Sequence, residues 1–351
     1  CQKGSDFSVS AKFKNSISCS YTPSILAYYH FSKLFDMARV PTAVLRTMDK
    51  EQHRAIVKQA PTLIPELKGQ LIYQNWLNFE KQHTLGTSDN LFDSSREYVY
   101  GALVENPKKE IKYTELNTSP SYQVRYENFI KKQAYKNLTD SRTVSEIAGT
   151  STTAANIQTA VQMKDIADMI VLDTLLNQQD RIGNIHYKFV WYELVKNADG
   201  TQKIIKTKSK ATIVNKAISI PANEKALQAK GAFLIKEMLL KDNDCGVAKS
   251  NEMKRVKALE SLAHMSRTAY TNILNFHKVV KTKAVTQWMQ NELLMTPSDI
   301  GTVANANSFL NNLDYIVKVL KTKCETGKLR LDLDMEDILS KRKQAPADCA
   351  P

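Results

Sequence analysis

The feature that most constrains this chain is the segment from Val171 to Tyr187, VLDTLLNQQDRIGNIHY, in which a helical pattern changes directly into a strand pattern. The short polar loop between the two patterns carries Asp180 and Asn184. A carboxylate in such a loop can accept a proton from an attacking hydroxyl, and an amide oxygen beside it can hold a metal ion. Asp, Gly and Asn also suit ordinary turns, so the loop alone indicates a candidate site and does not establish one.

The composition indicates a globular protein. The 351 residues, 42% hydrophobic and 24% charged, allow one large domain or two modest ones. The chain has no glycine-rich phosphate loop and no apolar run of about 18 residues that could span a membrane. The net charge of +13 would suit a polyanionic partner. However, the basic residues are spread along the chain, which favours a lysine-rich solvated surface, and no specific nucleic acid is expected.

The five cysteines give information on the cellular location of the protein. They are Cys1, Cys19, Cys245, Cys324 and Cys349, and none has CxxC or Cys/His zinc spacing. The opening CQKGSD resembles the start of a processed bacterial lipoprotein, with a lipidated cysteine and a polar tether. This resemblance implies an extracytoplasmic protein, anchored to a membrane through Cys1 or secreted, whose other cysteines can form disulfides. A boundary inside a longer chain is the alternative explanation.

The N-terminal part reads as strand, helix and strand. The alternation in FSVSAKFKNSISCS predicts a strand with Lys14 near its end. A helix with Thr22 or Ser24 as its cap is predicted to run through SILAYYHFSKLFDMARV and to stop before Pro41, and TAVLRTMD is predicted to be the next strand.

This unit resembles the segment that follows the ATP-contacting lysine in the secretory-pathway kinases, the Golgi casein kinase family. The residues that follow the family's rhythm are Ala27, Tyr28, Phe31, Leu34, Arg39, Val40, Pro41 and Arg46. The resemblance implies that Lys14 contacts the phosphates of ATP. The chain departs from the family at Ser24, where the family has an acidic residue that orients this lysine. Glu51 and Glu105 are candidate replacements, and the sequence does not choose between them.

A second acidic segment follows the apolar strand pattern AFLIKEMLL and reads Asp242-Asn243-Asp244-Cys245-Gly246. The family has Asp-Asn-Gly where its metal-binding aspartate lies. The resemblance therefore implies that Asp242 is a ligand of Mg²⁺ or Mn²⁺, with Asp244 as a close rival. A simple acidic turn is the alternative.

The remaining patterns complete a two-part organisation. YVYGALVEN and KEIKYTELN are predicted to form a hairpin, Gln158 to Leu176 a strong helix, and KIIKTK the hairpin partner of IHYKFVWYEL. Three helices are predicted beyond Ser250. The predicted boundaries are a tether over 1–9, an N-lobe over 10–121, a C-lobe over 122–340 and a polar tail over 341–351, with Cys349 tying the tail back.

These patterns and the resemblance together predict an α+β, two-lobed protein-kinase-like fold with a small β-containing N-lobe and a mainly helical C-lobe. The implied activity is metal-dependent transfer of the γ-phosphoryl group of ATP to a hydroxyl of a protein or glycan. Asp180 would act on the hydroxyl, Asp242 and Asn184 would hold the metal, and Lys14 and Arg181 would serve the nucleotide, with Arg181 also orienting the loop.

The catalytic-loop pattern departs from related kinases. Ile182 replaces the usual His, and Asn184 lies one residue closer to Asp180 than in the HipA-type kinases, a more distant resemblance. These departures leave two alternatives open. One is a pseudokinase that serves as a binding or assembly lipoprotein, and the other is an AMP transferase on the same fold.

Overall fold

The computed structural model describes residues 10–118, 122–198, 202–335, 338 and 349. The predicted tether over 1–9 and, apart from Cys349, the predicted tail over 341–351 lie outside the described residues. The strands are β1 (Ala11–Lys14), β2 (Ala43–Asp49), β3 (Tyr98–Glu105), β4 (Ile111–Lys112), β5 (Ile185–Lys196), β6 (Gln202–Lys208), β7 (Thr212–Val214), β8 (Ala217–Ser219) and β9 (Phe233–Leu240). The helices are α1 (Thr22–Leu34), α2 (Lys50–Leu63), α3 (Leu71–Leu85), α4 (Tyr122–Phe129), α5 (Gln133–Thr139), α6 (Val144–Ala148), α7 (Ala154–Leu175), α8 (Lys225–Ala229), α9 (Glu252–Arg255), α10 (Ala258–Ser261), α11 (Arg267–Val279), α12 (Lys283–Glu292), α13 (Pro297–Ile300) and α14 (Phe309–Glu325).

A small antiparallel sheet with strand order β1-β3-β2 forms the N-terminal part. Lys14 pairs with Ala102 in its register, so this lysine stands at the end of an edge strand. Helix α1 packs between the sheet and the rest of the molecule, and its residues Leu26, Tyr28 and Phe31 are fully buried. The predicted strand, helix and strand are therefore present.

Helix α1 is shorter than predicted. It ends at Leu34, and Asp36 follows with a left-handed φ of 54°. The chain then turns so that the carbonyl of Arg39 accepts a hydrogen bond of 2.9 Å from the backbone N–H of Leu240 at the end of β9. The tertiary contact with β9 therefore overrides the helical pattern of residues 35–40.

The other main sheet is built around β5. Strand β9 pairs along one edge of β5, and β4 and β6 pair along the other. The hairpin of β5 and β6 is confirmed. The predicted pairing of KEIKYTELN with YVYGALVEN is wrong, because the short strand β4 pairs with Tyr187 and His186 of β5 instead.

Helix α7 is the centre of the largest hydrophobic core, as the pattern from Gln158 to Leu176 predicted. Thr153 caps its first turn, and the helix is buried from Asp165 to Leu175. The prediction beyond Ser250 is wrong in one respect. The first long helix is broken into α9, α10 and α11, with Lys257 in a left-handed conformation with φ of 53°.

The observed architecture confirms the α+β class, with a small sheet-containing N-terminal part and a mainly helical remainder. Within the described ranges, no helix is both long and apolar enough to cross a membrane. The lobe boundary predicted near residue 121 stays a prediction.

Helices α2 and α3 form a hairpin against the small sheet, and two buried histidines join them. His53 Nδ1 lies 2.7 Å from His83 Nε2. Their rings also contact Phe79 and Phe92 edge-on. Burial, with a smaller contribution from His83, lowers the pKa of His53 to about 4, so the pair is neutral near pH 7.

We expect this pair to make the protein sensitive to mild acid. The unfolded chain binds a proton at the ordinary histidine pKa of 6.5, whereas folded His53 does so only near 4. The stabilisation is thus complete above about pH 6.5 and is lost as the pH falls toward 4. The expected loss in the free energy of unfolding at pH 5 is about 1–2 kcal/mol. Lys50, Glu51 and Arg54 surround His83 and modulate its own titration.

The measurement is urea unfolding at pH 7 and pH 5, comparing wild type with His53→Gln. Glutamine can hydrogen-bond to His83 but does not titrate, so the variant should lose less stability on acidification than wild type. An equal loss in both proteins would contradict the role of the pair.

Candidate functional site

The loop that carries Asp180 is held by backbone and amide contacts. Asn117 accepts hydrogen bonds at its Oδ1 from the N–H groups of Gly183 (2.9 Å) and Ile185 (3.1 Å). Gly183 has a φ of 116°, and a Cβ there would lie 2.6 Å from Arg125 Nη1. The backbone angle favours glycine here, because a side chain is strained at this φ, and a Cβ would in addition require the Arg125 guanidinium to shift.

Asp180 is partly exposed at the end of this loop, and two side chains contact its carboxylate. Arg125 Nη2 donates to Oδ1 at 3.0 Å, and Asn184 Nδ2 donates to Oδ2 at 3.3 Å and to the Asp180 carbonyl at 2.9 Å. The structure therefore brings the side chains of Asp180 and Asn184 into contact. The amide nitrogen of Asn184 stabilises the loop through these hydrogen bonds. The role of Asn184 as a metal ligand stays a prediction.

Arg181 points away from the surface. Its side chain is fully buried, and its guanidinium forms an ion pair with Asp173 of α7 at 3.0 Å. The same guanidinium donates to the carbonyl of Lys241 (2.7 Å) and to Asn243 Oδ1 (2.6 Å). Since these acceptors surround it, Arg181 positions the loop in this structure. Its assignment to cofactor binding is therefore corrected to a positioning role.

Asp173 of α7 contacts α1 as well as Arg181. Its side chain is fully buried and also accepts a hydrogen bond of 2.7 Å from the hydroxyl of Tyr28 in α1. Burial raises the pKa of Asp173, and the interactions with Arg181 and Tyr28 oppose that rise. The charge of this carboxylate therefore depends on its two partners.

The segment from Asp242 to Gly246, which we call the acidic loop, follows β9 and packs closely against α1. Ser24 Oγ donates to the carbonyl of Asn243 at 2.6 Å. A Cβ on Gly246 would lie 2.5 Å from the same Oγ and 2.8 Å from the carbonyl of Leu176. Ser24 is fully buried in this contact, so a longer side chain at position 24 would have to displace the acidic loop.

Lys14 meets the acidic loop directly. Its Nζ lies 3.1 Å from Asp244 Oδ2 and 3.6 Å from Asp242 Oδ1. Burial lowers the pKa of Lys14, but the two carboxylates outweigh burial, so the pKa is raised and the lysine is charged. Among the described residues, these aspartates are the carboxylates in ion-pair contact with Lys14. Glu51 and Glu105, the replacements considered from the sequence, do not take that place.

Lys14 and Asp242 line a groove between the small sheet and the acidic loop, which we call the Lys14 groove. Its volume is about 100 Å³, and it opens to solvent. Its lining is Lys12, Lys14, Ile25, Val40, Pro41, Val104, Glu105, Asn106, Pro107, Lys241, Asp242 and Asn243. The wall thus combines apolar side chains from α1 and β3 with a charged end at Lys14 and Asp242.

Gln178 links the Asp180 loop to the acidic loop. Its Oε1 accepts from the backbone N–H of Asp180 at 3.1 Å, and its Nε2 is 3.5 Å from the carbonyl of Asp242. The three segments that carry Lys14, Asp180 and Asp242 are therefore joined by direct contacts, although they are remote in sequence.

The two aspartates fit a hard divalent cation that keeps most of its ligands from phosphate and water. Asp242 and Asp244 reach the same lysine nitrogen, so their carboxylates lie close together, and both side chains retain exposed surface. Mg²⁺ is commonly bound through one or two carboxylates plus substrate phosphates. Within the described residues, no group of three or more His, Cys, Asp or Glu side chains is arranged to hold a metal. Such an ion would thus depend on the nucleotide.

A disulfide fixes the two sides of the site. Cys19, shortly after β1, is bonded to Cys245 of the acidic loop, and Cys324 is bonded to Cys349. The sequence predicted only that four cysteines could pair, and that Cys349 could tie back the tail. The first bridge connects the segment after Lys14 to the residue after Asp244, so it holds the partners of the ion pair together.

Four residues of this site were not predicted as functional: Arg125, Asp173, Gln178 and Asn243. Arg125 lies in an amphipathic helix pattern, where a charged residue ordinarily faces solvent. The importance of Asp173 could have been inferred from the sequence, because a carboxylate at a core position of an apolar helix requires a partner. Gln178 and Asn243 lie within polar loops in which every residue is a plausible turn former.

No family model matches this chain, and no curated protein matches it. Among solved structures, the chain is similar to one described as the crystal structure of the Golgi casein kinase with Mn/ADP bound. The comparison covers 92% of this chain and 62% of that chain, with 10% sequence identity and a TM-score of 0.33. The chain therefore spans less than two thirds of that structure's length.

We expect the buried ion pair to contribute strongly to stability. Arg181→Met should lower the free energy of unfolding by about 3–5 kcal/mol, because it leaves the buried Asp173 carboxylate without its charged partner. Arg142→Met removes an exposed ion pair with Asp140 and is the matched control, for which little change is expected. Denaturant unfolding of both variants tests this. Equal losses in the two would contradict the assignment.

We also expect the Cys19–Cys245 bridge to stabilise the fold more than the Cys324–Cys349 bridge. The first closes a sequence separation of 226 residues and the second one of 25. In the chain-entropy description, replacing both cysteines of the longer loop by serine costs about 2 kcal/mol more. The measurement is unfolding of the two paired-serine variants under oxidising conditions, after mass spectrometry has verified the remaining bridge. A larger loss for the shorter loop would contradict this expectation.

Proposed function

We propose that this protein is an atypical, metal-dependent kinase that transfers the γ-phosphoryl group of ATP to a hydroxyl of a protein or glycan. The observation that carries the proposal is the contact of Lys14 with Asp242 and Asp244 at the Lys14 groove, together with the link that Gln178 makes between Asp242 and the Asp180 loop. A fixed cation, a pair of carboxylates and a separate carboxylate on a positioned loop are the groups that phosphoryl transfer requires.

In this proposal Lys14 binds the phosphates as a compact point charge. It is charged and held at the end of β1, so it needs only to exchange a carboxylate oxygen for a phosphate oxygen. The exchange would release Asp242 and Asp244 from the lysine. Both carboxylates would then be available to a divalent ion.

Asp242 and Asp244 would hold Mg²⁺ or Mn²⁺, and the ion would neutralise charge on the phosphates of the nucleotide. The backbone around Asp242 supports this use of the loop. Asp242 has a left-handed φ of 49°, and Asn243 Nδ2 donates to the carbonyl of Leu240 at 2.9 Å, which fixes the turn out of β9. Asn184 remains a candidate for a further ligand through its amide oxygen.

Asp180 would orient the acceptor hydroxyl and accept its proton. Its carboxylate is 35% exposed, and Arg125 and Asn184 fix its orientation. Arg125 also places a cation beside this carboxylate. Such catalysis depends mainly on positioning and charge stabilisation.

A second candidate function is binding without catalysis, as in a pseudokinase. The observation that favours it is that Lys14 and Asp180 both have charged partners within the protein, Asp244 and Arg125. AMP transfer by the same groups is a further alternative on chemical grounds. Membrane anchoring through a lipidated Cys1 and an extracytoplasmic location stay predictions, since Cys1 lies outside the described residues.

The test begins with nucleotide binding. We expect ATP with Mg²⁺ or Mn²⁺ to raise the melting temperature of the wild type and to have no such effect on Asp242→Ala. Asp89→Ala is the matched control, because Asp89 is an exposed aspartate outside the lining of the Lys14 groove. The absence of any shift in wild type at millimolar ATP would contradict the proposed nucleotide site.

Catalysis is tested with Asp180→Asn, which keeps the size of the side chain. We expect this variant to retain the ATP-dependent thermal shift but to lose self-labelling and ATP hydrolysis by about 100-fold or more. Labelling of the wild type from γ-labelled ATP supports the kinase. Labelling from α-labelled ATP alone would establish AMP transfer instead, and a thermal shift without turnover would establish a binding protein.

A further inference from the structure

A second groove lies beside the Lys14 groove, between the α1–β2 connection and the sheet around β5. We call it the Arg39 groove. Its volume is about 310 Å³, and it opens to solvent. Its lining is Lys33, Arg39, Val40, Thr42, Glu105, Val190, Lys206, Lys208 and Glu237. Val40 and Glu105 line both grooves, so the two sites are neighbours.

The cations of the Arg39 groove come from three separate parts of the chain. Lys33 is in the last turn of α1, Arg39 is in the connection to β2, and Lys206 and Lys208 are on β6. Residues two apart on a strand face the same side, so both lysines of β6 point toward one face of the sheet. Four cationic side chains therefore converge on a space that two carboxylates share.

The two carboxylates of the groove already have partners. Glu237 accepts from Lys206 Nζ and from the Tyr192 hydroxyl, each at 2.8 Å. Glu105 lies 4.0 Å from Arg39 and accepts a hydrogen bond of 3.3 Å from the backbone N–H of Thr42. These contacts satisfy the acidic side chains and leave cationic side chains in excess.

Lys33 and Lys208 provide that excess. Within the described part of the chain, neither side chain takes part in an ion pair or a side-chain hydrogen bond. Lys188, on β5 nearby, adds to the positive charge. Burial lowers the pKa of Lys188, and Arg39 and Lys208 lower it further, whereas Glu105 and Glu110 oppose the change. The fold thus holds like charges together, which costs free energy unless an anion offsets it.

We propose that the Arg39 groove is a binding site for a small ligand that carries two or more phosphate groups. The guanidinium of Arg39 matches the geometry of a phosphate, and lysine ammonium groups around it can serve a second phosphate as point charges. Val40 and Val190 are buried in the lining and give the groove an apolar floor. The site adjoins the proposed transfer site, with which it shares Val40 and Glu105, and does not depend on its activity.

Convergence within one groove favours a compact polyanion over an extended one. The cations approach the space from α1, the connection to β2 and β6, so a ligand of limited size can contact all three. Since Lys33 and Lys208 have exposed side chains, replacing them should change binding without unfolding the protein.

The experiment is isothermal titration calorimetry of the whole chain with inorganic tripolyphosphate, without divalent metal, at low and at physiological ionic strength. We expect Lys33→Ala and Lys208→Ala each to weaken binding by about tenfold, the effect of losing one charge-assisted hydrogen bond. Lys203→Ala is the matched control, because Lys203 is an exposed lysine of β6 outside the lining of the groove. It should bind as the wild type does.

Lys14→Ala separates the two grooves. If tripolyphosphate occupies the Arg39 groove, this variant should retain most of the binding. Loss of binding in Lys14→Ala with none in Lys33→Ala or Lys208→Ala would place the ligand in the Lys14 groove and overturn the proposal. Absence of binding to the wild type, or equal weakening in Lys203→Ala, would overturn it as well, because the latter indicates diffuse surface charge.

Discussion

The buried ion pair between Arg181 and Asp173 is the interaction on which the arrangement of the site depends. Asp173 belongs to the central helix α7 and also binds Tyr28 of α1. Arg181 reaches the acidic loop through Lys241 and Asn243. One pair of charges therefore connects the N-terminal helix, the core helix and both loops of the site. Its members need each other, since either charge alone would be costly in this interior.

The same network surrounds the partners of Lys14. Ser24 is fully buried and donates a hydrogen bond to the carbonyl of Asn243, so α1 presents no carboxylate to the lysine at this position. The acidic loop supplies Asp244 and Asp242 instead. In this arrangement Lys14 offsets part of the negative charge of the two carboxylates, and an ionic ligand would have to compete with these ion pairs.

Local patterns in the sequence predicted the elements that depend on local physics. The helix α7, the strands β5 and β9 and the hairpin of β5 with β6 follow from periodicity and turn residues. The prediction was wrong where a distant partner decides the conformation. The pairing of β4 with β5, the early end of α1 at Leu34 and the break at Lys257 all fall in this class.

The candidate site shows the same division. Asp180 was selected from its polar loop, whereas Lys14 and Asp242 were selected from the resemblance to the secretory-pathway kinases, and their roles stay predictions. Their partners could not be selected, since Arg125 meets Asp180 across 55 residues and no local pattern encodes that contact. The burial of Arg181 could not be predicted either. Its position next to Asp180 in the sequence does not determine whether its side chain points to the surface or into the core.

The distance along the chain between Lys14 and Asp244 has a consequence for biosynthesis. The two residues are 230 positions apart, and Cys19 and Cys245 are 226 positions apart. At the usual speed of translation, the early lysine and thiol wait for about 10–45 s before their partners are made. During that interval Cys19 lacks its native partner Cys245. The closing of this bridge therefore reports that synthesis has passed residue 245, and a prematurely terminated chain would be chemically distinguishable from a finished one.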